Sequence, residues 1–393
     1  MRALRRAAVA ATLLLSAVAP ATSWAATSQG SWRPSAVPQL SGGSLLNATV
    51  AFGRTNVWAF GGEELTDRGG RPVAVRWDGR AWHRNTVPGS GVLSDASGSS
   101  PSDIWALAAF GTRAVGGSNL VHFDGGRWTA VAGPKINGRW KYTQVKSFGP
   151  RDVWVTGTVD GAKPDQWKAF LYRFDGRKWT EVRLPAKDGA IQPTAIEGSS
   201  SRNLWLVGAH GDLHGSPGYG FTFHWNGSQL RDLPFPRTKD VAPTDLTFHG
   251  GKPVLVGFQL FVDGQLTTAS SLPAVGNPTS LRRGLRGVPV VFGWNGRTWA
   301  QQKQPVTEGA FYSVSGDGRG GLVAVGQHVG GDGSPIFARF DGRQWRNDTV
   351  DAGLAKAAFG MFSTAWVPGT AEVVAVGYSG DAAEAKPAVA RRG

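Results

Sequence analysis

The chain has 393 residues, with 42 Lys and Arg against 28 Asp and Glu, and a formal net charge of +14. It contains 56 Gly, 17 Trp and no cysteine, which excludes disulfides, thiolate metal sites and a cysteine nucleophile. A chain of this length buries a large core without covalent staples, and short apolar runs between glycines point to an all-β fold rich in turns.

The first element expected is a leader. Residues 1–27 carry Arg2, Arg5 and Arg6, run apolar from Ala7 to Ala19, and place Ser23 and Ala25 at the −3 and −1 positions of a cleavage site. This is the layout of a secretory signal peptide over about residues 1–25, and it predicts a secreted, extracellular protein. The Arg5-Arg6 pair invites comparison with twin-arginine leaders, but its flanks match them poorly. No other apolar run approaches the roughly 20 residues of a transmembrane helix. Export without cysteine, behind an Ala- and Arg-rich leader, fits a bacterial source. The sequons at Asn47, Asn226 and Asn347 are then chance matches. Loss of the leader's three arginines lowers +14 to +11, a charge that attracts anionic wall polymers, acidic polysaccharides and lipid headgroups. The basic residues are otherwise scattered, and only Arg282, Arg283 and Arg286 form a tight group.

Beyond the leader the chain repeats itself. An Asp or Asn followed by Gly recurs at Asp78, Asp124, Asp175, Asn226, Asn295 and Asp341, at intervals of 46, 51, 51, 69 and 46. Four residues after each lies Trp82, Trp128, Trp179, Leu230, Trp299 or Trp345. A second marker, with runs such as NVWAFG and DVWVTG, falls at Trp58, Trp105, Trp154, Trp205, Val254, Val323 and Val374, at intervals of 47, 49, 51, 49, 69 and 51. Both markers keep one step and share one long interval, which defines a repeat with a single insertion.

Each part has a physical task. The short, continuously apolar run is a strand buried on both faces. Asp-Gly or Asn-Gly reads as a two-residue type I′ hairpin, whose central residues need positive φ. The tryptophan opens an outer strand and packs on the neighbouring unit, and a proline six residues later ends that strand. The stretch before the next apolar run supplies an innermost strand. Four strands in about 50 residues make a β-propeller blade. The seventh unit stops at Gly393, where its outer strand is due, and Trp32 stands six residues before Pro38 as Trp82 does before Pro88. The expected fold is a seven-bladed β-propeller of four-stranded blades, as one domain over residues 26–393, with the last blade completed by the N-terminal strand.

Apolar strand, glycine, aromatic strand and tryptophan resemble the kelch repeat and the central propeller of galactose oxidase. The first unit carries the kelch double glycine at Gly61 and Gly62 with Trp82 at the later position, and the other units keep one glycine or none. The resemblance covers nearly the whole mature chain and implies the fold. The copper chemistry of galactose oxidase, which needs a tyrosine cross-linked to cysteine, is excluded because the chain has no cysteine. One propeller serves many unrelated sites, so function must come from particular residues.

In such a blade the short turns share one face. The loops between second and third strands, at residues 62–72, 109–119, 158–168, 209–220, 258–288, 327–335 and 378–386, share the other, and variable loops on a rigid frame carry function. Candidates there are Glu63, Asp165, Trp140 and Trp167, the two tryptophans being read as loop residues outside the repeat. Arg282, Arg283 and Arg286, in an insertion over about 261–288, could grip carboxylate or phosphate. His210, Asp212 and His214 form a possible metal set; otherwise no metal, cofactor or catalytic residue is expected. The reading is a monomeric, non-catalytic binding module for an extracellular glycan, an anionic cell-wall polymer or a protein, with no specific nucleic acid. The alternatives are a polysaccharide-acting glycoside hydrolase or lyase, and a structural subunit of an exported complex.

Overall fold

The computed structural model describes residues 30–66, 69–110, 120–161, 167–185, 191–210, 219–236, 241–262, 265–266, 285–329, 333–380 and 384–393. The leader, Asp165, Asp212, His214, Arg282 and Arg283 lie outside the described residues.

Seven antiparallel sheets make a propeller. Their innermost strands are Leu45–Gly53, Val92–Ser100, Trp140–Gly149, Ile191–Ser200, Val241–His249, Ala310–Gly316 and Ala358–Trp366, and these define blades 1 to 7. Each innermost strand touches that of the next blade, and the seventh touches the first, so the ring closes. Blades 1 to 6 run outward in chain order. Blade 5 adds a short pairing of Gln265–Leu266 on the extended strand Lys252–Val262, at the base of the predicted insertion.

The core lies between blades. Among the described residues, seven apolar clusters fill the seven seams. The outer-strand tryptophans pack onto the preceding blade, as the repeat requires. Trp128 of blade 2 meets Trp58 and Phe60 of blade 1 edge-on at 5.8 and 5.7 Å. Trp299 of blade 5 meets Trp205 of blade 4 at 5.7 Å and donates its indole N–H to Thr222.

The D-x-W and N-x-W runs have a reason that periodicity alone hides. The indole N–H groups of Trp58, Trp105, Trp154 and Trp205 donate to Asn56, Asp103, Asp152 and Asn203, each two residues earlier, at 2.8 to 3.3 Å. The cross-strand partner is Arg76, His122, Arg173 or His224. Its cation or imidazole lies over the indole, at 4.5 Å for His122 and 5.4 Å for Arg173. A buried donor left unpaired would cost about 1–3 kcal/mol, so each second-strand tryptophan brings its own acceptor.

The tight hairpins correct one expectation. Residues 78–81 form a four-residue loop closed by the Trp77–Trp82 pair, and only Gly79 has positive φ, at 101°. Asp78 Oδ1 instead accepts the N–H groups of Arg80 and Ala81 at 2.8 and 2.9 Å. The same bonds recur at Asp124, Asp175, Asn226, Asn295 and Asp341. The Asp or Asn serves this side-chain bond, not a left-handed backbone.

Closure falls to the chain ends, as expected. Arg33–Pro34 pairs with the strand Lys386–Arg392 as the outermost strand of blade 7. Trp32 is wholly buried in the seam between blades 6 and 7, 4.5 Å from Phe337. Its indole N–H donates to Asp348 Oδ2 at 3.0 Å. The same oxygen lies 2.6 Å from Arg392 Nε, in a pair with side chains only 1% and 2% exposed.

Trp32→Ala is expected to cost about 3–5 kcal/mol through lost packing. Asp348→Ala, which strands the buried Arg392, is expected to cost a similar 3–5 kcal/mol or so. Thermal melts against Trp366→Ala, a change at a tryptophan 37% exposed, check this. If all three variants melt together with the parent, blade 7 holds to blade 6 without the N-terminal segment.

Candidate functional site

Two regions bring chemistry-bearing residues from different blades together: the ring axis and the variable-loop face. At the axis each innermost strand presents a free edge, whose N–H and C=O groups have no further strand to pair with. Side chains of the neighbouring blade take them. Asp95 Oδ2 of blade 2 accepts the Val145 N–H of blade 3 at 2.7 Å. Asp245 Oδ2 of blade 5 accepts the Val314 N–H and the Ser313 hydroxyl of blade 6, at 2.9 and 2.8 Å. Ser313 accepts the Thr364 N–H, and Ser363 accepts the Thr49 N–H across the closing seam, both at 3.1 Å. At the bulge just before this position, Asn47, Thr194 and Thr244 donate to Leu93, Pro243 and Phe311 carbonyls of the next blade, at 3.0, 2.7 and 2.8 Å.

Burial dominates the two axial carboxyls. It pushes Asp95 up to about 8, against the lowering effect of N–H bonds from Val145 and Ala96, while the charges of Asp245 and Glu197 push it further. Burial likewise pushes Asp245 up to about 7, opposed by Val314, Ser313 and Leu246. Both residues keep a small accessible surface. Glu197 of blade 4 is held by the Lys146 ammonium of blade 3. The turn aspartates are the reverse case. Asp78 is held down to about 2, first by the Ala81 N–H and then by Arg80 and His83.

The residues singled out on the variable-loop face meet different fates. Glu63 lies in the strand Asn56–Thr66, not in a loop, and is wholly buried. Its carboxylate accepts the Ser41 N–H at 3.0 Å and pairs with Arg71 at 3.0 Å and with Arg84. Trp140 is also no loop residue: it opens the innermost strand of blade 3, 4.8 Å from Tyr142, in the seam toward blade 2. Trp167 does stand in the loop, with Lys141 Nζ 4.9 Å from its ring centre. Arg286 is 57% exposed on the blade 5 arm, with Glu308 at 3.8 Å. His210 is buried against Tyr219, ring centres 4.6 Å apart. Among the described residues no group of three His, Asp or Glu is placed to hold a metal.

Alternation along the strands decides which of these come together. In blade 3, Tyr142, Val155 and Phe170 face blade 2, while Trp154, Ala169 and Leu171 face blade 4. Lys141, Thr158 and Ala169 are cross-strand partners, so Lys141 and Trp167 belong to the blade 4 side. In blade 4, Ile191, Phe221 and Phe223 face back toward blade 3, and His210 packs its ring on both Tyr219 and Phe221. The top of the seam between blades 3 and 4 is therefore walled by Lys141 and Trp167 on one side and by His210 and Tyr219 on the other. Trp140 lies across the sheet from it. Sequence reading missed Lys141 and Tyr219, because neither belongs to a motif.

Neither a protein-family model nor a curated protein matches the chain. Solved structures do. YCF48 bound to D1 peptide is 13% identical, with a TM-score of 0.53 over 93% of this chain and 99% of that one. YCF48 from Cyanidioschyzon merolae is 14% identical, with a TM-score of 0.53 over 92% and 98%. At such identity the likeness speaks to fold alone.

The axial carboxyls predict a pH dependence with a defined sign. Unfolded, both titrate near 4, as free aspartates do; folded, they titrate near 8 and 7. Between roughly pH 4 and 8 the folded state keeps protons that the unfolded state has released, so stability falls as pH rises through that window. Asp95→Asn and Asp245→Asn keep an acceptor oxygen and remove the charge. Each is expected to narrow the gap in melting temperature between about pH 5 and about pH 8.5 by several degrees. An unchanged gap in both variants would show carboxyls that are ionised and solvated at neutral pH.

Proposed function

We propose that this propeller is an exported, kelch-like binding module that recognises an extracellular glycan, cell-wall polymer or protein through its variable-loop face, without catalysis. The observation that carries the reading is the engagement of the axial carboxyls. Asp95 and Asp245 each hold an N–H of the next blade, and Glu197 holds Lys146. A glycosidase needs one carboxyl free to protonate and another free to attack or to activate water, whereas these are committed to holding the ring together. Accessible aromatic and cationic groups remain on the face instead, at Trp167, Lys141 and Tyr219. A propeller of the same fold has been solved bound to a peptide, which keeps protein among the candidate partners.

The test is binding of the purified chain to an array of glycans, wall polymers and peptides at low and moderate salt. Selective binding that survives moderate salt is expected. Binding that tracks negative charge alone and vanishes with salt would reduce the partner to nonspecific attraction by the net charge. Shortening of a bound polymer would replace the reading with a hydrolase or lyase.

A further inference from the structure

The seam between blades 3 and 4 differs in kind from the rest of the described face. Tyr219 is 44% exposed; among the described residues only it and Trp366 are large hydrophobics open to solvent. Trp366 ends the innermost strand of blade 7 on the opposite, tight-turn face. Lys141 as a whole is exposed, yet its ammonium rests against the Trp167 indole. That partial loss of water pulls it below the usual lysine range, opposed in part by Asp160.

Beneath this pair lies a second, independent sign of a ligand. Thr158, the cross-strand partner of both Lys141 and Ala169, is fully buried, and its hydroxyl has no hydrogen-bond partner. The equivalent hydroxyl two residues earlier, on Thr156, donates to the Phe170 carbonyl at 2.7 Å. A buried hydroxyl without a partner costs about 1–3 kcal/mol, and is tolerated where something else supplies the missing bond. The Tyr142 hydroxyl on the blade 2 side is unpaired as well, and Thr158 differs from it in lying beneath Lys141, an exposed cation.

Resting on the binding-module reading, we propose that the top of the blade 3–4 seam is its binding site, and that the occupant is an acidic glycan. The apolar face of one sugar ring lies on Tyr219, a carboxylate or phosphate on the sugar takes the Lys141 ammonium from the indole, and the uncovered Trp167 ring and Thr158 hydroxyl meet the neighbouring sugar. A protein partner fits this surface poorly. Protein interfaces centre on a contiguous buried apolar core, whereas the described aromatics here are single rings set among polar groups. The charge of +11 that remains without the leader's three arginines favours an anionic polymer over a neutral one.

Calorimetry of the full chain tests this with an oligogalacturonate (carboxylate on sugar), a mannose-phosphate oligomer (phosphate on sugar), a neutral galactan oligomer and polyglutamate. One of the two acidic oligosaccharides is expected to bind more tightly than both the neutral oligomer and polyglutamate, and which one identifies the anion. Tyr219→Ala and Trp167→Ala are each expected to weaken it roughly tenfold, a loss of about 1.4 kcal/mol. Lys141→Met should weaken it similarly and flatten the salt dependence. Thr158→Val should weaken it several-fold without lowering the melting temperature, which a purely structural hydroxyl would not do. Trp140→Ala, facing the other seam, should stay within about twofold of the parent. Equal binding of polyglutamate, or no binding of either acidic oligosaccharide, overturns the ligand class. Tight binding that ignores the Tyr219 and Trp167 variants overturns the site while the binding-module reading stands. A silent array together with silent oligomers removes both.

Discussion

A ring of blades has no first or last seam, whereas a chain has two ends, and everything else in this fold waits on their meeting. Six seams form between units consecutive in sequence. The seventh, between blade 7 and blade 1, needs residues more than 300 positions apart, as in the Thr49–Ser363 bond across a separation of 314. Blade 7 itself is completed from the far end of the chain, since Trp32 bonds Asp348 of blade 6 across a separation of 316. Burying one tryptophan removes on the order of 200 Å² from water, or about 5 kcal/mol at 25 cal per Å². Trp32 spends that surface where loop-closure entropy is greatest. The buried Asp348–Arg392 pair adds register. An ion pair in a dry site gains little net stability, but a displaced strand would strand one of its charges, so the wrong closure is penalised more than the right one is rewarded.

The fold was legible because a propeller writes its geometry as spacing. Blade size appears as a step near 50, the outer strand as tryptophan, and the closing strand as Trp32 alone at the far end. The tight turn was read by the wrong mechanism, since Asp-Gly meets the demands of a type I′ hairpin as well as those of a side-chain-capped four-residue loop. Both solutions use positive φ at the glycine. They differ only in whether the aspartate's backbone or its carboxylate does the turning, and composition cannot separate the two.

The candidate site was much less legible, for a reason the blade makes plain. Repeated residues announce themselves, and function on a repeated scaffold sits where the repeat lapses. Trp140 and Trp167 both lapse from it and looked equivalent. Their positions against Val159 and Lys168 send one ring into the blade 2 seam and leave the other beneath Lys141. Alternation along a strand moves a side chain to the opposite face with each residue, so a shift of one position separates a core tryptophan from a surface one. Tyr219 carries no motif at all. It is visible only as an aromatic residue at the mouth of a strand whose next two phenylalanines, Phe221 and Phe223, are buried.

The division of labour between axis and face follows from the same closure. Innermost strands leave their edges toward the axis, and a polar edge must be satisfied. Asp95, Asp245, Ser313 and Ser363 answer it at four seams, while Asn47, Thr194 and Thr244 answer it by a second geometry. Carboxyls placed there lose water and hold protons up to neutral pH, which resembles the tuning of a catalytic acid. Here the same carboxyls hold N–H groups of the next blade, so the raised affinity for a proton accompanies a structural post. A group that fixes two blades in register cannot also move toward a substrate without loosening the seam it serves. The rim of the variable-loop face carries no such duty, and a side chain there, such as Lys141 resting on an indole, can leave its partner for a ligand while the ring stays closed.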